Sequence, residues 1–177
     1  MTYKTTIENY LLDFDLFYDF ISDRFGSKEI VKKRFIEAAK TIKHHQAVRH
    51  TLGALRTPTD FGTNICTSSG QLPSDLSYEF CRNEGIKKMF EGKGKTSKWT
   101  ESEFDIKLSE FEGIFDEDFF ENMDFLNWFQ GKDLAKALSR EFEGISMKRF
   151  YAHSKKHFDF RKFKDLVELR LMIESYG

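Results

Sequence analysis

Residues 101–127 read ESEFDIKLSEFEGIFDEDFFENMDFLN. As a string this mixes acid with phenylalanine, but at helical spacing the two separate. Phe104, Leu108, Phe111 and Phe115 recur at three- and four-residue steps, the period of one helix face, and Thr100 with Glu103 forms a capping box ahead of them. The ten carboxylates of the stretch (Glu101, Glu103, Asp105, Glu110, Glu112, Asp116, Glu117, Asp118, Glu121 and Asp124) are then left outside, with Lys107 as the one cation among them. The reading predicts a helix with an apolar inner stripe and an acidic outer ridge at Glu110, Glu112, Asp116, Glu117 and Asp118.

The same period extends in both directions. Ile7, Tyr10, Leu11, Phe14, Phe17, Tyr18, Ile21 and Phe25 predict one amphipathic helix closed by Gly26. Ser27 is placed to cap a second, with Val31, Phe35, Ala38 and Ile42 inward, continuing through Val48, Leu52 and Leu55 until Pro58 ends it. Ser74 is placed to start a helix with Leu76, Phe80, Ile86 and Phe90 inside. Beyond the acidic segment, Phe119 to Phe129 predicts a helix ending near Gly131, and Leu134, Leu138 and Phe142 another ending at Gly144. Ser146 begins a basic helix, and Asp159 begins a last one with Phe163, Leu166, Val167 and Ile173 inward. No fixed repeat or heptad run is present. The fold class is all-α, an irregular bundle of seven or eight helices with one long loop near residues 57–73.

The 177 residues suit one globular domain, 1–177, and a division into two lobes would fall near 57–73 or 92–99. Twenty of them are Phe, so the core is expected to be aromatic. No long apolar run suggests a membrane span. The opening MTYKTTIENYLLDFDLFYDF has no basic leader followed by an apolar stretch, so a cytoplasmic location is the expectation. Cys66 and Cys81 read as free thiols in a reducing compartment. Abundant Lys, Phe, Ile and Asp with sparse Ala suggest a low-GC bacterium or its phage.

Formal net charge is only -1, yet the charges are sorted into blocks. From Lys28 to Arg56 there are eight Lys or Arg (Lys28, Lys32, Lys33, Arg34, Lys40, Lys43, Arg49, Arg56) against Glu29 and Glu37. From Met147 to Lys164 there are seven (Lys148, Arg149, Lys155, Lys156, Arg161, Lys162, Lys164) against Asp159. Such sorting creates fields that select partners while the net charge stays near zero.

The chemical motifs are mostly excluded by spacing. Gly92-Lys93-Gly94-Lys95-Thr96-Ser97 ends like a phosphate loop, but Met89 stands where the first Gly is required and no apolar strand precedes it. Cys66-Thr67-Ser68-Ser69-Gly70 lacks the glycines of a nucleophile elbow. His153 and His157 share a helix face at metal-ligand spacing, with no third ligand nearby, so neither a metal nor another cofactor is expected. A ribonuclease of the HEPN type needs four to six residues between Arg and His on one helix. Arg149 is followed by His153 after three and by His157 after seven, which fails that test.

Two function classes remain. The first is a non-enzymatic binding protein that inhibits or regulates a nucleic-acid-processing complex, the kind of task carried out by small phage and mobile-element proteins such as anti-CRISPR inhibitors. That comparison rests on size and charge and on no motif. Its binding face would be Lys148, Arg149, Tyr151, Lys155, Lys156, Arg161 and Lys162 against nucleic acid, where cations meet phosphates and rings such as Tyr151 and Phe158 meet bases. The alternative binding face is the acidic ridge against a nucleic-acid-binding protein, and a second copy of the chain is a further candidate partner. The second class is a small metal-independent ribonuclease drawing on His50, Arg49, Arg56 and His157. The balance favours the non-enzymatic class.

Overall fold

The computed structural model describes residues 7–55, 72–90 and 98–175. Among them the chain forms eleven α-helices and no strand: α1 (Ile7–Leu11), α2 (Phe14–Phe25), α3 (Lys28–Thr41), α4 (Lys43–Ala54), α5 (Tyr78–Phe90), α6 (Glu101–Ile114), α7 (Glu117–Glu121), α8 (Phe125–Trp128), α9 (Gly131–Glu141), α10 (Met147–His157) and α11 (Lys164–Ser175). A 3₁₀ turn at Phe160–Lys162 joins the last two. Eight of the helices are eleven residues or longer, which is the all-α irregular bundle that the periodicity predicts. Most of the 57–73 loop and of the 92–99 connection lies outside the described residues, as do Arg56 and Cys66. No helix among the described residues is long and apolar enough to cross a membrane.

Several boundaries differ from the sequence reading, each for a local reason. The first stripe is carried by two helices. Asp13 interrupts them because its side chain accepts from Leu16 N at 3.0 Å and caps α2. The second stripe breaks at Ile42, whose non-helical backbone separates α3 from α4. Ser77, not Ser74, caps α5, accepting from Phe80 N at 3.3 Å. The Phe119–Phe129 segment folds as two short helices joined through Met123, which has a positive φ of 58°. Gly131 starts a helix instead of ending one, because the Gln130 side chain accepts from the N–H groups of Lys132 and Asp133. Asp159 caps the 3₁₀ turn, and α11 begins five residues later.

Other local signals act as read. Thr100 and Glu103 complete their capping box, and Ser146 accepts from Arg149 N at the start of α10. Each such cap is worth about 1 kcal/mol.

The helices are held by an aromatic core. Phe17 packs against Phe35, Phe142 and Phe150, each with ring centroids 5.2 Å away. A second cluster joins Phe115 to Phe119 at 4.8 Å and to Phe129 at 4.9 Å. Phe35 and Phe125, 6.0 Å apart, connect the two clusters into one core. Burial of each such ring stabilises by roughly 1.5–3 kcal/mol, and tilted or edge-on pairs add about 0.5–1.5 kcal/mol.

In this arrangement α4 packs on α5 and α6, α3 on α9, and α2 on α3 and α10. The acidic helix thus packs on α4, whereas the second basic helix packs on α1 and α2. Close approach of α5 is permitted by Gly85, since a Cβ there would lie 2.6 Å from Phe104 Cζ and 2.7 Å from Val48 Cγ1. Phe90, predicted to be inside, is half exposed, and Cys81 and Gly85 form the buried face of α5 instead.

Candidate nucleic-acid interface

Much of the first basic block is engaged within the molecule, although Lys32 and Lys33 are exposed. Arg34 Nε donates to Glu141 Oε1 at 2.7 Å and Arg34 Nη2 to the Glu141 carbonyl, while its guanidinium lies 4.6 Å from the Phe142 ring centre. Lys40 reaches Glu117 at 2.5 Å, Lys43 lies 3.5 Å from Glu112, and His44 Nδ1 bonds Glu112 at 2.7 Å. Arg49 turns inward toward Asp133.

The acidic ridge is engaged from the other side of the same contacts. Glu112 and Glu117 meet α3 and α4, Glu110 pairs with Lys107, and Asp116 caps α7 by accepting from Phe119 N at 2.9 Å. Asp105 and Glu101 are held by Arg82, which donates to both oxygens of Asp105 at 2.6 Å. Of the five ridge residues, Asp118 is the one with no such partner among the described residues. Glu117 and Glu112 of the ridge therefore act as counter-ions for α3 and α4, and Glu101 and Asp105 at the start of α6 do so for α5.

Most of the second basic block has no such counter-ion among the described residues; Lys164, at its end, lies 3.7 Å from Glu168. Phe150 and Ser154 form the buried face of α10, with Ser154 Oγ donating to the Leu11 carbonyl at 2.7 Å. Lys148, Arg149, Ala152, Lys155 and Lys156 occupy its exposed face. The small Ala152 leaves that strip low between its two cationic ends. Lys162 extends it into the 3₁₀ turn. No carboxylate pairs with Lys148, Arg149, Lys155, Lys156 or Lys162 among the described residues. Arg161, by contrast, is tied to Asp159 through Nε at 2.8 Å and Nη2 at 3.0 Å, which holds that carboxyl below its usual range.

Helix electrostatics explains only part of this pattern. Lys155, Lys156 and His157 in the last turn of α10 suit the negative end of the helix dipole. Lys148 and Arg149 stand in the first turn, where the dipole opposes them, so their placement gains nothing for helix stability.

The aromatic members of the predicted face are less available than its cations. Tyr151 is half-buried against the core, and its hydroxyl is enclosed without a hydrogen-bond partner among the described residues; burial raises its pKa. Phe158 stacks on Phe163 at 5.6 Å and is also half-buried. His153 and His157 form a ring pair 4.6 Å apart, with Phe20 behind His153 at 5.5 Å.

Of the residues of the ribonuclease reading, Arg49, His50 and His157 are not brought together, and Arg56 lies outside the described residues. Arg49 and His50, though adjacent, point apart. His50 Nε2 donates to the Trp128 carbonyl at 3.0 Å, and its ring is surrounded by Phe111, Phe115 and Trp128; burial lowers its pKa. His157 lies on α10, which packs on α1 and α2 and not on α4. Among the described residues no group of three or more His, Cys, Asp or Glu is arranged to hold a metal ion.

A polar cluster escaped the sequence reading. Asp133, almost wholly buried, accepts from Gln46 Nε2 at 2.9 Å and lies 3.6 Å from Arg49 Nη1 and 3.7 Å from His45 Nε2. Burial, reinforced by Arg49 and opposed by Asp133, depresses the His45 pKa and keeps the ring neutral. Gln46 Oε1 also accepts from Gln130 N. The one available signal was the run His44-His45-Gln46, too polar for a helix middle unless it is packed against a partner. Comparison with protein families, curated proteins and solved structures finds no match for this chain.

Proposed function

We propose that the protein is a non-catalytic binding protein of nucleic-acid-processing complexes, with the exposed face of α10 and the following turn as the surface that contacts phosphates. The observation that carries this reading is the set of five cations without carboxylate partners among the described residues, two of them at the helix end where the dipole disfavours them. Charge sorting supports it further, because the acidic ridge engages Lys40 and Lys43 of the first basic block, whereas none of its carboxylates pairs with the cations of α10 among the described residues. A protein of this kind would inhibit or regulate a nucleoprotein, as small phage inhibitors do, by occupying its nucleic acid.

The test is anisotropy of labelled RNA and duplex DNA across a salt series. Contacts to phosphates release counter-ions, so log affinity should fall linearly with log salt, with a slope of about -4.5 if about five phosphates of a duplex are neutralised. An affinity flat with salt defeats the reading.

A second reading, metal-independent RNA cleavage, rests on the His153–His157 ring pair within the same cationic face. Incubating RNA with the protein in EDTA, with His157→Ala alongside, separates the two. Cleavage lost in the variant favours the enzyme, and intact RNA under all conditions removes it.

A further inference from the structure

Ala152 sits at the centre of the exposed face of α10. Its four neighbours on the helix surface, three and four positions away in each direction, are Lys148, Arg149, Lys155 and Lys156, and all five side chains are exposed. None of the four cations pairs with a carboxylate among the described residues. Lys155 follows Lys148, and Lys156 follows Arg149, after two helical turns, so the two cation pairs stand about 10 Å apart along the axis with only a methyl group between them.

The rings of the same region are turned away from this strip. Phe150 is fully buried, and Tyr151 packs against the core with its hydroxyl enclosed. Phe158 stacks on Phe163, Phe163 in turn meets Tyr10, and Arg170 covers Phe160 with its guanidinium 5.2 Å from the ring centre. His153 and His157 pair with each other about 100–140° round the helix from Ala152. The exposed Phe, Tyr and Trp residues among those described, Tyr78, Phe90 and Trp128, belong to α5 and α8, whereas α10 packs on α1 and α2.

Resting on the phosphate-contact reading above, we propose that the polyanion taken by this face is duplex nucleic acid, held by its two backbones without readout of sequence, with Ala152 at the point of closest approach. Unpaired bases are held by stacking on exposed rings, and the rings of this strip are engaged in the core. A duplex hides its bases and asks only for cations. Charge density points the same way. From Lys148 to Lys156 the strip is about 12 Å long, a span over which a duplex carries about seven phosphates and one of its strands about half as many. Four mutually repelling cations, two of them also opposed by the helix dipole, gain most from the denser polyanion. The small side chain at the centre lets the helix approach while the cation pairs at its two ends reach separate phosphates.

The test is anisotropy near physiological salt with DNA and RNA duplexes and with unstructured oligo(dT) and oligo(U) of equal length. Both duplexes should bind at least about tenfold more tightly than either single strand, with salt slopes of about -4.5 for the duplexes and about -3.5 for the single strands when all five cations of the face, Lys162 included, are engaged. Ala152→Trp puts a ring at the centre of the strip on an exposed position, and circular dichroism confirms that it is folded. This variant should weaken duplex binding and strengthen oligo(dT) binding about fivefold or more, the gain of one stacked base.

Single strands that match or exceed the duplexes overturn the duplex assignment and leave the phosphate-contact reading standing, whereas no binding to any of the four removes both. Tight binding of one kind of duplex alone shows that groove shape or the 2′-hydroxyl is read, and overturns a contact made through the backbones only. Duplex affinity unchanged in Ala152→Trp overturns the placement of Ala152 at the contact.

Discussion

His44 Nδ1 lies 2.7 Å from Glu112 Oε1, joining the first basic block to the middle of the acidic ridge. Lys43 approaches the same carboxylate at 3.5 Å, and Lys40 reaches Glu117 one helix further on. These contacts distinguish two basic blocks of equal net excess: several cations of the first hold helices together, while those of α10 face outward. Most of them are partly exposed and individually worth about 0–1 kcal/mol. Their weight lies in cancelling the field of the ridge, so that the uncancelled cations on α10 dominate what a polyanion meets.

Lys155→Glu with Lys156→Glu should weaken binding to RNA or duplex DNA more than tenfold at low salt and reduce the salt slope by roughly two. The urea midpoint should fall only slightly, because both side chains are exposed and the loss is limited to their favourable placement at the C-terminal end of the helix dipole. Glu117→Lys with Asp118→Lys should leave this binding intact or strengthen it. Anisotropy titrations of both variants check the pair. If only the ridge variant loses binding to a partner, that partner is a basic protein.

Asp133→Ala should cost about 3–5 kcal/mol, since it leaves the Arg49 charge without its carboxylate and removes the acceptor of Gln46. Arg49→Met with Asp133→Leu should cost less than Asp133→Ala alone, because the charges leave together. Urea unfolding of the three variants provides the comparison.

Acid should destabilise the protein through His45 and His50. Burial lowers both below the ordinary 6.5, so the unfolded chain binds protons there that the folded one refuses. Stability from these two rings is complete above about pH 6.5 and is lost as pH falls from there through their folded values. Urea midpoints between neutral and mildly acidic pH should show the decline, and His45→Gln should flatten part of it. A midpoint that rises on acidification contradicts the assignment.

Gly85→Ala should destabilise by about 1–3 kcal/mol, since the added methyl meets Phe104 and Val48 at distances no Cβ tolerates. Gly113→Ala, on the open side of α6 with nothing within 4 Å, should stabilise by roughly 0.5–1 kcal/mol. Thermal melts of the two variants should move in opposite directions.

Helix content was legible because its determinants are local. The Thr100–Glu103 box, the Ser146 cap and the three-and-four spacing of Phe104, Leu108 and Phe115 each act within one or two turns. Misread boundaries came from competition at the same range: Asp13 and Gln130 cap through side chains within an otherwise continuous apolar pattern, and Gly131 resembles a helix end as much as a beginning. For the candidate site, the cations of α10 were recognisable from their spacing. The burial of Tyr151, the divergence of Arg49 from His50 and the grip of Arg82 on Asp105 were not, because each depends on a helix brought in from elsewhere in the chain.

The sequence by itself determined that this protein is helical, that its core is phenylalanine-rich, and that its charges lie in one acidic and two basic blocks. Those properties follow from residue type and spacing. Which basic block the acidic ridge neutralises was decided by the tertiary structure alone. The first and second blocks carry the same formal excess, and only the packing of α6 and α7 beside α3 and α4, driven by their aromatic inner faces, brings Glu112 and Glu117 to the first and leaves α10 exposed.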